Sequence, residues 1–187
     1  VVFAHDTEAN LRAAADLVNT ARRRDGRDAL TTVPDLDGFF TAWGYTGRHD
    51  RDAAELAQVR AARDRVSALW DVDRDTGAQV VNAILREADA VPFLVRHDHM
   101  DWHLHATVAD AQLATVVLVE TAMAAADLVR SDAWDRLRTC AADDCAAVLV
   151  DLSRNGSRRF CDVNGCGNRA HVAAYRARRA RATAGSA

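Results

Sequence analysis

Four cysteines carry the clearest chemistry in the chain. Cys140, Cys145, Cys161 and Cys166 are its only cysteines, and they form the pattern C-x4-C-x15-C-x4-C. Two close pairs separated by roughly 12–20 residues have the spacing of a tetrahedral metal site, in which each pair turns the backbone so that both thiolates face one point. Zn²⁺ suits four thiolates, and four protein ligands leave no open position. One structural zinc ion per chain is therefore expected. Two disulfides or free thiols would use the same residues. Val1 to Asn10 carry His5, Asp6 and Glu8 where a secretory signal would have a basic start and an apolar stretch, which speaks against disulfides and for a cytoplasmic protein.

Arginine is the second signal. The chain has a net charge of −3, but from Leu152 to Ala187 it carries eight Arg and a single Asp, a local net of +7. An acidic body with a basic tail indicates two parts with different surroundings. Arg154, Arg158 and Arg159 fall around an Asn155-Gly156 turn, and Arg169, Arg176, Arg178 and Arg179 fall on a helical stretch. Guanidinium groups at this density match phosphates, and they can also read guanine in a major groove. A solvated charged helix has the same composition.

Histidine is the third. His97, His99, His103 and His105 are four of seven histidines, in a stretch that reads as two strands around a turn near His99 to Asp101. His103 and His105 alternate, so both project from one face of the second strand. Cross-strand pairing would gather three or four imidazoles suited to Zn²⁺ or Ni²⁺, although hairpins commonly carry polar residues on a wet face. No nucleophile elbow, P-loop or dinucleotide fingerprint accompanies them, and no catalysis is expected.

The elements that must position these groups are mostly helices. Apolar periodicity predicts a helix from Glu8 to about Arg24 capped by Thr7, a short one opened by Pro34, and others over Asp52 to Trp70 and Thr76 to Ala88. A long helix from Ala111 to Arg130, capped by Asp110, is apolar all round, and a turn capped by Ser131 holds Trp134. The apolar helix is the expected surface of a homodimer; a buried core helix has the same pattern. Asn19 and Asn82 sit in apolar stretches, where each amide either bridges elements or lines a ligand pocket. Ala146 to Leu152 reads as a strand returning through Arg158 to Cys161, followed by a helix after Cys166. No apolar run reaches 18 residues, so no membrane span is expected.

The segment CAADDCAAVLVDLSRNGSRRFCDVNGCGNRAHVAAYRARRA resembles the CGNR zinc-finger family, whose name-giving motif stands at Cys166-Gly167-Asn168-Arg169. Asp151, Ser153, Arg154, Asn155, Ser157, Arg158 and Arg159 before Cys161 are similar to the same pattern. Phe160 and His171 depart from it, where Trp and Lys are usual. The resemblance implies a preceding ABATE domain, and Asn19-Thr20 is similar to that domain's opening motif. It further implies a bacterial transcription regulator that binds double-stranded DNA, with the N-terminal domain either sensing a signal, such as an unknown small-molecule effector, or mediating self-association. The expected fold is mainly α with a small β-hairpin component: a helical body over 1–135 and a treble-clef-like four-cysteine finger over 136–187. The expected DNA-facing set is Arg154, Arg158, Arg159, Asn168, Arg169, His171, Arg176, Arg178 and Arg179. The alternative is a metal-dependent enzyme or small-molecule-binding protein that uses the His97 to His105 hairpin, with a purely structural finger.

Overall fold

The computed structural model describes the backbone of residues 3–97 and 100–184, and the side chains of these residues other than 97, 100 and 180–184. Among the described residues the chain is about 53% helical, with two small antiparallel strand pairs. The helices are α1 (His5–Asn19), α2 (Val33–Ala42), α3 (Ala53–Ser67), α4 (Arg74–Glu87), α5 (Leu113–Arg130) and α6 (Cys166–Ala184). The strands are β1 (Phe93–His97), β2 (Met100–His105), β3 (Leu137–Thr139) and β4 (Val148–Val150).

Local chemistry starts several helices. Thr32 and Asp35 form a reciprocal capping box on α2, with Pro34 in its first turn, while Asp52 and Asp73 accept from the Glu55 and Thr76 amides at the heads of α3 and α4. Three expected caps act differently. Thr7 lies inside α1 and is buried, and its hydroxyl donates to Asp127 at 2.7 Å, so tertiary packing has taken the oxygen a cap would use. Asp110 stops short of α5, which begins after Gln112. The Ser131 hydroxyl donates back to the Asp127 carbonyl at 2.6 Å, closing the end of α5. Helix α1 ends at Asn19 instead of Arg24, and the following segment turns towards the finger.

Helix α5 is the centre of the body. It buries Leu113, Val117, Val119, Ala122, Ala125 and Leu128 against α1, α3 and α4. From Leu113 to Val129 no residue of α5 is exposed, so most of its apolar surface is taken up by the core of the chain. Trp134, in a 3-10 turn after α5, packs against Gly77 of α4; a Cβ there would lie 2.2 Å from the indole. Val148 and Val150 of β4 belong to the same core as Leu11, Val18, Ile84 and Leu128, so the finger and body share one apolar interior.

Strand β4 pairs with β3, with Arg138 opposite Leu149. The return segment Arg158 to Cys161 is not a strand, contrary to the sequence expectation. Its Arg159 carbonyl accepts from the Ala141 amide at 2.8 Å, and Arg138 and Asp151 take up most of the neighbouring polar groups.

Candidate metal centre

The hairpin of β3 and β4 carries Cys140 and Cys145 in its loop, the loop before α6 delivers Cys161, and Cys166 is the first residue of α6. The four sulfurs lie within 4.8 Å of one another. Cys145 and Cys161 are 3.7 Å apart and Cys161 and Cys166 3.6 Å, too far for a disulfide. Sulfurs at the corners of a tetrahedron around an ion at about 2.3 Å would stand about 3.8 Å apart. The donors around the cluster also suit thiolates. The Cys161 amide donates to Cys140 Sγ, Asn164 Nδ2 to Cys145 Sγ at 3.2 Å, and Arg169 Nη2 to Cys166 Sγ at 3.1 Å. Burial by itself would raise the Cys145 thiol, but the Ala147 amide and Asn164 bring it down to about 7. Burial prevails at Cys161, pushed up to about 12, and also raises Cys166. The residues fit one structural zinc ion. Bound there, zinc supplies the positive charge that clustered thiolates need, and with it folding free energy.

The polar turn beside the cluster is built around Asp151, which is 0% exposed. Its carboxylate accepts from the Ser153 amide and hydroxyl, from the Arg158 amide at 2.8 Å and from Arg138 Nη1 at 2.8 Å. Burial works against the ionised form, but these donors hold the carboxyl below its usual range. Arg136 Nη1 donates to the Asp151 and Ser153 carbonyls. Arg136 and Arg138 therefore hold the turn that carries Arg154. Neither stands out in the sequence, because both lie upstream of the motif they support.

The arginines divide into two groups. Arg169 makes two 3.1 Å hydrogen bonds to Asp144 and one to Cys166, and Asp144 is also paired with Arg24 of the body. Arg158 is paired with Asp162. Arg154, Arg159, Asn168, His171, Arg176, Arg178 and Arg179 are exposed. From His171 to Arg179 every side chain of α6 is exposed, including Val172 and Tyr175.

The two asparagines part company. Asn19 is buried, and its amide donates to the Val148 carbonyl at 2.9 Å while accepting from the Val148 amide at 2.8 Å. It stands on the wall of a cleft of about 410 Å³ shared with Arg12, Arg23 and Trp43. Asn82 is exposed on α4, away from Asn19, on a shallow surface beside Arg86. Asn164, which sequence reasoning missed, joins finger to body: it donates to the Arg22 carbonyl and accepts from the Arg24 amide. The available signal is an Asn-Gly pair inside the second C-x4-C, where Gly165 takes φ +58°.

In the histidine hairpin, β1 pairs with β2 so that Phe93 faces His105 and Val95 faces His103. His103 and His105 meet, with Nε2 atoms 3.1 Å apart. The side chain of His97 and all of His99 lie outside the described residues. No described helix is long and apolar enough to cross a membrane.

The sequence model of the CGNR zinc finger matches residues 136–179. That of the ABATE domain, described as "Putative stress-induced transcription regulator", matches residues 11–132. No curated protein matches the chain significantly. With the ABATE match spanning more than half of its length and the finger following directly, the chain belongs to the ABATE family and carries a CGNR zinc finger.

Proposed function

We propose that this protein is a transcription regulator that binds double-stranded DNA through α6 and the turn at Arg154, with the helical body serving signal reception or self-association. The observation that carries the reading is the exposure of α6: in a helix anchored at Cys166, every side chain from His171 to Arg179 is exposed, Arg176, Arg178 and Arg179 among them. A positively charged, unburied helix on a metal-stapled base has the form and charge of a groove-reading element. The DNA-facing set is narrower than the sequence pattern: Arg154, Arg159, Asn168, His171, Arg176, Arg178 and Arg179. Arg158 and Arg169 are assigned to bracing the finger. The reading is non-catalytic, since both matched families are of a regulator or zinc-finger kind and four thiolates leave the ion no open position.

Homodimerisation belongs to the proposal, because one helix reads only a short stretch of duplex and two half-sites are commonly read by symmetric pairs. Since most of α5 is taken up by the core, we assign it to the outer face of the β1–β2 hairpin, where Leu94, Trp102 (61% exposed) and Leu104 stand side by side.

Electrophoretic shifts on the protein's own promoter region, over a salt series, test DNA binding. Removing one arginine that pairs with a phosphate should lower the slope of log affinity against log salt by about one unit. Arg176→Ala with Arg179→Ala should weaken binding and reduce that slope while zinc content is unchanged. Unaltered binding by this double variant, or the absence of salt-dependent binding by the parent, would overturn the reading.

A further inference from the structure

Two imidazoles meet in the body, away from the four cysteines. A cavity of about 270 Å³ opens between α1, the loop after α2, β2 and the head of α5, and His103, His105, Asp6, Glu120 and Tyr45 line it. His103 is 8% exposed. Its Nδ1 is 2.8 Å from the Asp101 carbonyl, which can only accept, so Nδ1 carries the proton. In the neutral ring Nε2 then presents a lone pair towards His105, whose Nε2 is 3.1 Å away. An imidazole held by an Nδ1–H to a backbone carbonyl is oriented as metal-ligating histidines usually are. Two imidazole nitrogens at about 2.1 Å from one ion stand about 3.0 Å apart at a right angle and about 3.4 Å apart in a tetrahedron. The observed separation falls between these values.

The charge of the cavity favours a cation. Asp6 and Glu120 bring carboxylates to it, and Glu120 adds to the burial that raises the Tyr45 hydroxyl. Among the described residues on its wall, the arginine Arg48 is held by Asp50 through three hydrogen bonds. We propose that His103 and His105 bind one divalent first-row transition-metal ion in this cavity, a site distinct from the four-cysteine centre and with positions left for water. Imidazole with oxygen donors suits Zn²⁺, Co²⁺, Ni²⁺ or Fe²⁺ and disfavours Ca²⁺ and Mg²⁺.

The test uses the full chain with its finger already loaded with zinc, titrated with Co²⁺. One further equivalent should bind with weak visible bands and without the near-ultraviolet charge transfer that thiolate ligands produce, and the zinc should stay in place. His103→Ala and His105→Ala should each weaken this binding at least about 10-fold. Imidazole resonances of His103 and His105 should shift on addition of the ion in the unmutated protein, a readout that holds if either variant fails to fold. Absence of a second equivalent, or binding that leaves both imidazoles unshifted, would overturn the proposal and leave a simple imidazole–imidazole hydrogen bond.

Discussion

Asn19 is one amide placed where both of its ends are used. It satisfies the N–H and the C=O of Val148 at once, in a buried position. Asn19→Ala would leave two backbone groups without a partner, each costing about 1–3 kcal/mol. A loss of roughly 2–4 kcal/mol is expected, measured by urea unfolding; an unchanged midpoint would contradict the docking role. The pair of buried Arg63 and partly buried Asp28 gives a pH-dependent counterpart. Burial works against ionised Asp28, but hydrogen bonds from Arg63 and the Leu30 amide hold its carboxyl below the usual value. The sign follows from linkage: a folded-state value below the unfolded one stabilises at pH above the unfolded value and is lost as pH falls through the folded one. The stability difference between parent and Asp28→Asn should be constant above about pH 5 and shrink below about pH 4. A difference that stays flat to pH 3 would remove the assignment.

At the scale of elements, two glycines in helices have opposite meanings. Gly38 of α2 is exposed and a Cβ there meets nothing within 4 Å, so Gly38→Ala should stabilise by about 0.5–1 kcal/mol through helix propensity. Gly77 of α4 has the Trp134 ring where a Cβ would go. Overpacking of this kind costs typically about 1–3 kcal/mol, more than the propensity gain of about 1. Gly77→Ala should therefore lower the thermal midpoint while Gly38→Ala raises it, and a rise for both would show that the Trp134 ring yields easily. The closure of α5 by Ser131 and the capping box on α2 explain why these boundaries are sharp, whereas α6, anchored at its start, runs on without apolar cover as far as Arg179.

For the whole molecule, the shared core has consequences for folding. Val148 and Val150 of the finger hairpin lie among the apolar residues of the body, Trp70 donates to the Leu149 carbonyl, and Asn164 reaches Arg22 and Arg24. We expect the finger and body to unfold as one unit. Removing the metal with a strong chelator should lower a single calorimetric transition, since structural zinc can contribute on the order of 10 kcal/mol. Two separate transitions, with the body's unmoved by chelation, would show independent domains. Trp102→Ser on the exposed hairpin should leave that transition nearly unchanged and, under the proposed dimerisation, convert a sedimenting dimer to a monomer.

The sequence by itself determined the four-cysteine cluster that fits zinc, most helices of the body and the finger family. Cysteine spacing is a local property whose chemistry depends little on context, and apolar periodicity records which face of a helix is buried. Tertiary structure decided the rest. Asn19 and Asn82 look alike in the chain, yet one is enclosed by a strand 129 residues away and the other faces solvent. Arg169 and Arg176 share a helix, but only the first lies within reach of Asp144 and a cysteine sulfur. The partner of β4 is not legible in the chain, because a turn signal says where a chain reverses without saying which strand wins the hydrogen bonds; β3 wins because Asp151 and Arg138 occupy the polar groups of the other candidate. Helix α5 shows an apolar surface on every side, and only the packing of α1, α3 and α4 around it decided that this surface is the core.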